Sequence, residues 1–363
     1  MKTQVKVVAI SLGLVGAVAQ GAEAQGAVKF GGFVDSYFAY DFGRPTSIDR
    51  SFTTQAARHN EFNVNLAYVE TSLSRDRFRG RLALQAGTSV QANYAGEPAI
   101  GAYSGPTLSR HIQEAYAGLK VGEKAWIDGG IFYSHIGSES WASRDNLTYT
   151  RSLIAEYTPY YETGVRVTLL PSSSLTATLV TVNGWQIISE NNEDKSFGAR
   201  LDWTASSKLT LGYYNIIGNE QPDGQDSRMR LLNGITAKVT ASDKLTLIVT
   251  ADFGRQDGAG DADASTWWGG AAIGKYQASE RLGLSLRAEA YDDEDQVIIV
   301  TGAPAFKATG FSAGLDVTPQ QGIMWRTEFR MLSGKDAVFP DRSETAGLSK
   351  TNSLLVTSLA ITF

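Results

Sequence analysis

The sequence predicts an all-β fold: a transmembrane antiparallel up-and-down β-barrel of about 16 strands, short-turned at one end and long-looped at the other. Three observations predict it. From Val28 onward the residues alternate apolar and polar with period two, which is how a strand with two unlike faces reads. The connections between these segments alternate between short and long. The final stretch, Leu354 to Phe363, reads LLVTSLAITF, placing Leu355, Leu359, Ile361 and an aromatic last residue on one parity. A closing strand, 351–363, has a use for that Phe in an interfacial aromatic girdle. The last core strand of a soluble sandwich is the alternative for this segment taken alone.

The elements follow in order. Lys2 and Lys6 flank the start of an uncharged apolar run, Val7 to Val18, and Ala22-Glu23-Ala24 has the small-x-small pattern of a cleavage site. Residues 1–24 are therefore expected to be an export signal peptide and 25–363 the barrel. No later window approaches the roughly 18 apolar residues of a membrane helix. The chain has no Cys, hence no disulfide framework and no thiolate chemistry. Loss of the signal would take the formal charge from −5 to −6, without the basic footprint a nucleic-acid partner requires.

Short connections fall at 75–77, 121–124, 171–174, 205–207, 241–243, 279–280 and 318–321, built from Asp, Ser, Gly, Pro and Lys. Long ones fall near 43–60, 93–108, 135–161, 185–194, 219–227, 256–265, 292–305 and 333–350. Each hairpin unit occupies about 42 residues, enough for two tilted strands of roughly ten. The segment 62–74 changes phase near Glu70, the signature of a bulge. Residues 135–161 form a third loop too long for a turn, with a short helical turn over 152–157 ended by Pro159; whether it folds into the barrel or lies outside is open.

The lumen-facing parity is where chemistry is expected, because ionised groups are costly against lipid. Candidate pore-lining residues are Arg166, Arg200, Arg228, Arg230, Arg287, Glu289, Arg326, Glu328 and Arg330. Candidates for a constriction loop are Glu139, Arg151, Glu156 and Glu162. Opposed rows of bases and acids would set a transverse field and tune selectivity; pairing within the lining would set none. On the first reading, removing Arg326 and Arg330 shifts selectivity towards cations. Arg77, Arg79 and Arg81 lie close to a turn and read as rim charges.

Girdle and closure positions are Trp203, Tyr276, Trp325 and Phe363, with Phe78 and Trp126 at the same end and Tyr40, Trp185, Trp267, Trp268 and Tyr291 at the other. His59, His111 and His135 are too scattered for a metal site. His135 beside Ser134 and Ser138 raises a hydrolase reading, but no G-x-S-x-G elbow accompanies it. No catalytic residue, cofactor or metal is expected.

Several stretches also have a family look: GGFVDSYFAYDF (31–42), NEFNVNLAYVETSL (60–73), IQEAYAGLKVG (112–122), GIFYSHIGSESW (130–141), NLTYTRSLIAEYTPYYETGVRV (146–167) and VNGW (182–185). In this order they resemble the putative beta-barrel porin-2 (OmpL-like) family of bacterial outer-membrane proteins. The resemblance implies an outer-membrane channel and brings no catalytic residues. The expectation is a passive, water-filled porin for small hydrophilic solutes and ions, constricted by lumen arginines and the third loop. Its partners would be outer-membrane lipid and lipopolysaccharide, the barrel-assembly machinery during biogenesis, and the solutes, with homo-oligomers compatible. Alternatives are a narrow or plugged structural or adhesive barrel whose external loops carry the function, and an outer-membrane hydrolase.

Overall fold

The computed structural model describes residues 28–363; the expected signal peptide lies outside them. The strands are β1 (Lys29–Asp41), β2 (Phe62–Ser74), β3 (Phe78–Ala86), β4 (Ile112–Val121), β5 (Ala125–Tyr133), β6 (Tyr161–Ser172), β7 (Leu175–Val182), β8 (Ser196–Ser206) and β9 (Leu209–Asn219). They continue as β10 (Met229–Ser242), β11 (Leu245–Gln256), β12 (Ser265–Ser279), β13 (Leu282–Asp293), β14 (Phe306–Gln320), β15 (Ile323–Gly334), β16 (Phe339–Pro340), β17 (Leu348–Ser349) and β18 (Thr351–Thr362). Each of β1–β15 pairs with its chain neighbours, and β18 pairs with both β15 and β1, closing a 16-strand antiparallel barrel. The short β16–β17 ribbon stands apart within the last long loop.

Closure is a register of nine pairs, Phe33 opposite Thr362 through Asp41 opposite Leu354. Every strand edge is consumed, which is how backbone polar groups are satisfied in hydrocarbon. All seven short turns and all eight long loops fall where the alternation places them.

The two faces are chemically distinct. Leu355, Leu359 and Ile361 of β18 point out and are half exposed, whereas Leu354, Val356 and Ala360 point in and are buried. The same alternation runs round the barrel, so a belt of Phe62, Leu119, Val165, Ile235, Phe253 and Leu286 is bare on the outside. A water-soluble domain would not leave so large an apolar surface uncovered; lipid covers it here.

The phase change in β2 lies five residues earlier than expected. The β1–β2 register slips between Asp35 and Ser36, opposite Asn65, and both Asn65 and Leu66 are buried inside; Glu70 sits in regular pairing with Gly31. The bulge turns the Asn65 amide inward, where it donates to Asp35 Oδ2 at 3.0 Å. Four aromatics assigned to the outer belts are also corrected. Trp126 lies under the Arg79 guanidinium inside the barrel, and Trp267 and Tyr291 are buried in the interior. Trp185 packs against that same interior cluster from the fourth long loop.

Candidate functional site

The interior is organised by loop 3, residues 134–160, which leaves β5 and reaches the opposite wall. Arg326 of β15 donates to three of its carbonyls, Ser143 O (2.5 Å), Asn146 O (2.9 Å) and Leu147 O (3.1 Å), while its other side holds Asp316. The Thr150 N–H and hydroxyl donate to Glu328 at 2.8 and 2.6 Å. Arg287 of β13 donates to Thr148 Oγ1 and Thr150 O, and the Leu153 N–H donates to Glu289 at 2.6 Å. From β1, Asp35 accepts from the Ser143 hydroxyl at 2.8 Å. The loop's α-helical turn, Leu153–Glu156, is capped by Ser152, whose hydroxyl accepts the Ala155 N–H, and Pro159 follows it as expected.

Loop 1 locks the other side of the loop. Glu156 accepts from the Thr53 hydroxyl and from the Thr54 N–H and hydroxyl, and Gln55 donates to Trp141 O. At its start, His135 Nδ1 faces both oxygens of Glu162 (2.9 and 3.1 Å) and Nε2 lies 2.8 Å from Asn215 O. Both ring nitrogens thus face acceptors. Burial disfavours the charged ring, but Glu162 and the Asn215 carbonyl outweigh it and hold the His135 pKa above its ordinary value. Gly198 makes this possible, since a Cβ there would lie 2.4 Å from Nε2. Ser134 donates to Glu162 rather than to the ring, and Ser138 pairs with Thr250, so neither serine forms a nucleophile–base pair with His135.

The sequence-derived candidates divide sharply. Arg287, Glu289, Arg326, Glu328 and Arg330 do point inward, but all are at most 6 % exposed, sealed beneath loop 3 in ion pairs with one another or, for Arg326, with Asp316. They therefore anchor the loop rather than face solvent. Arg166 and Arg200 keep about a fifth of their side chains exposed. Arg166 shares Asp128 with Arg79, and Arg200 holds Asp202 while donating to the carbonyls of His135 and Gly137. Arg228 and Arg230 are half-buried at the long-loop end.

Arg79 and Arg81 are wall residues rather than rim charges, the latter bridging Glu70 and Glu114. Arg77 is in the turn. Glu162 belongs to β6, not to the loop. Arg151 is completely buried, over the Tyr160 ring (3.9 Å) and near Trp141 (5.4 Å), so it cannot meet a passing solute. Glu139 is half-buried and accepts from Ser152, and desolvation raises its pKa. Trp203, Tyr276, Trp325 and Phe363 all stand exposed on the outer face near the short-turn end.

Two features went unread in the sequence. Asp35 is the only acid within the inward run Phe33, Asp35, Tyr37, Ala39, and that parity was the available signal. Burial raises the interior stakes: a carboxylate there needs partners, and it has Asn65, Ser143 and Tyr149. Loop 7, 294–305, reads as acidic, yet Asp293 beneath it is buried and accepts the N–H groups of Val297, Ile298 and Ile299. This turns an apolar tip into the barrel mouth beside Phe52, Phe306 and Phe339.

A closed 16-strand barrel with an apolar outer belt, short turns, long loops and an inward third loop has the architecture of an outer-membrane porin. The family model described as "Putative beta-barrel porin-2, OmpL-like" matches residues 27–363, and the chain belongs to that family. It is a protein of the bacterial outer membrane. No curated protein matches the sequence. Solved structures share the fold at low identity. The outer membrane channel DcaP of Acinetobacter baumannii is 11% identical with TM-score 0.60, covering 94% of this chain and 99% of that one. An anion-selective porin from Comamonas acidovorans is 10% identical with TM-score 0.60, covering 93% and 100%. OmpT of Vibrio cholerae, with loop L8 deleted, is 10% identical with TM-score 0.61, covering 93% and 99%.

Proposed function

We propose that this porin is a passive diffusion channel for small hydrophilic solutes, preferring anions, in which loop 3 forms the constriction. The observation that carries this reading is the asymmetry of the lining. Loop 3 is bound to the β13–β15 wall, where the charges are neutralised and buried, while Arg79, Arg166, Arg200 and Lys275 remain partly exposed. Asp128 is fully buried and serves both Arg79 and Arg166, which leaves that pair with a net positive charge facing water. Charged rings of one sign bias the ions that cross. Below the loop, the short-turn half is lined by inward Thr168, Thr176, Thr178, Thr210 and Thr236, which solvate polar solutes without binding them.

The test is single-channel recording in a planar bilayer under a salt gradient. Stepwise conductance with a reversal potential of anionic sign supports the reading; steps with cationic sign sink the selectivity.

A second reading has its own observation. The long-loop half of the interior is filled by an apolar cluster from loops 1, 3, 7 and 8, including Phe52, Ile154, Ile299 and Phe339. A barrel sealed at rest, with its external loops as the working surface, would give no steps from folded protein. One OmpT structure from Vibrio cholerae is described as a trimer form; association of this chain is a matter for light scattering in detergent.

A further inference from the structure

At the long-loop end of the open wall, two arginines are arranged unlike every other inward arginine of the barrel strands described above. Arg230 donates through Nε and Nη2 to Gln256 Oε1, at 2.8 and 2.6 Å, and Arg228 donates through Nη2 to Gln221 Oε1 at 2.5 Å. Both acceptors are neutral amides, themselves buried. The guanidinium groups are thus fixed in place without a carboxylate in contact. Arg166, Arg200, Arg287, Arg326 and Arg330 each hold a carboxylate instead.

Glu220 acts on Arg230 through space, but its oxygens are occupied: one accepts the Trp185 N–H at 2.7 Å and the other the Ser196 hydroxyl at 2.6 Å. Asp293, also close to Arg230, is taken by three backbone N–H groups of loop 7. Beside the charges stands an aromatic wall. The Arg230 guanidinium lies 5.4 Å from the Trp185 ring, and Trp185 meets Trp267 edge to face at 6.3 Å.

We infer that Arg228, Arg230 and Trp185 form a solute-recognition site at the outer mouth whose ligand class is a small aromatic carboxylate. A carboxylate matches the fork of a guanidinium and supplies the contacting anion that the other inward arginines already have. A flat ring attached to it has an indole to stack on. The inference deepens the pore reading, on which it depends only for the route by which solute goes on to the inside.

The experiment compares benzoate with acetate and benzyl alcohol as blockers of ion current through the reconstituted barrel. Benzoate is expected to reduce current at concentrations about tenfold lower than acetate, the size of effect one well-placed stacking or charge-assisted contact gives. Benzyl alcohol, with the ring but no charge, should not block. Arg228→Gln with Arg230→Gln should weaken benzoate block about tenfold or more. Trp185→Leu should abolish the difference between benzoate and acetate while leaving acetate unchanged.

Equal block by benzoate and acetate in the unaltered barrel, or undiminished benzoate block in the double variant, overturns the site. If folded barrel carries no current, the pore reading falls. Calorimetric titration of the detergent-folded protein with benzoate, against the same variants, then decides the site by itself. Heat-modifiable migration of each variant checks that it is folded.

Discussion

The β13–β15 wall and the β6–β10 wall have much the same content of arginine and opposite uses for it. On the first, Arg287, Arg326 and Arg330 are sealed with Glu289, Glu328 and Asp316 and spend their remaining donors on loop 3. On the second, Arg166, Arg200 and Arg230 keep a water-facing edge and stack on Phe132, Tyr214 and Trp185. The difference teaches that inward parity does not make a residue pore-lining. What a lumen arginine does depends on whether a loop lies over it, and loop 3 lies over one wall only.

The largest expected effect comes from breaking the covered wall. Arg326→Ala removes three hydrogen bonds to loop 3 and leaves Asp316 with Lys275 alone. Uncovering one partner of a buried pair costs about 3–5 kcal/mol. Urea unfolding should reach its midpoint earlier, and limited proteolysis should begin to cut within 143–150. From the sequence, loss of Arg326 together with Arg330 is expected to shift ion selectivity; Arg326→Ala should act instead through a larger and noisier conductance. A shifted reversal potential with quiet current would place Arg326 back among solvent-facing residues.

On the open wall the same chemistry should touch selectivity and spare the loop. Arg79→Ala with Arg166→Ala removes both partners of Asp128 and reverses the local charge from net positive to negative. The reversal potential should move towards cations, while proteolysis of loop 3 stays as in the unaltered barrel. Cleavage of loop 3 in that variant would erase the distinction between the walls.

A smaller effect is expected from pH, at the point where loop 3 meets the open wall. The His135 pKa is raised, so its contribution is complete below the ordinary value near 6.5 and fades as pH climbs through the raised one. Glu162 faces the ring on one side; on the other, Arg200, itself paired with Asp202, holds the His135 carbonyl. As pH rises above about 6.5 and through the raised value, loop 3 should become more protease-sensitive and the current noisier. His135→Gln should flatten that dependence; a pH response persisting in it would assign the titration elsewhere.

The smallest effect concerns Arg151. Its charge is buried between two rings, with Glu156 and Glu139 attracting it from nearby. Replacement by an apolar side chain of similar length relieves that burial. Arg151→Met should leave conductance unchanged and shift the unfolding midpoint little, in either direction. A large loss of stability would show that the stacking on Tyr160 outweighs the desolvation.

How much of this was legible follows from the range of each interaction. Strand existence, strand number, the alternation of turns and loops and the outward face of β18 are properties of period and local turn chemistry, so LLVTSLAITF and the short Asp-, Ser- and Gly-bearing turns sufficed. The cap at Ser152 and the stop at Pro159 are equally local. Inward parity could be read for Arg166 and Arg326 alike, because both follow from counting residues.

What separates those two arginines joins segments far apart in the chain. Arg326 is buried because carbonyls of Ser143, Asn146 and Leu147 arrive about 180 residues away in sequence. Trp185 and Trp267 turn inward because apolar loops fill the long-loop end of the barrel, and no periodicity encodes that. Asn65 enters through a bulge that only the pairing with β1 reveals. The sequence by itself determined a closed membrane barrel and which side of each strand meets lipid, since period two and the cost of ionised groups in hydrocarbon act residue by residue. The tertiary structure alone decided which lumen charges are neutralised and which still meet water, because that depends on where loop 3 comes to rest.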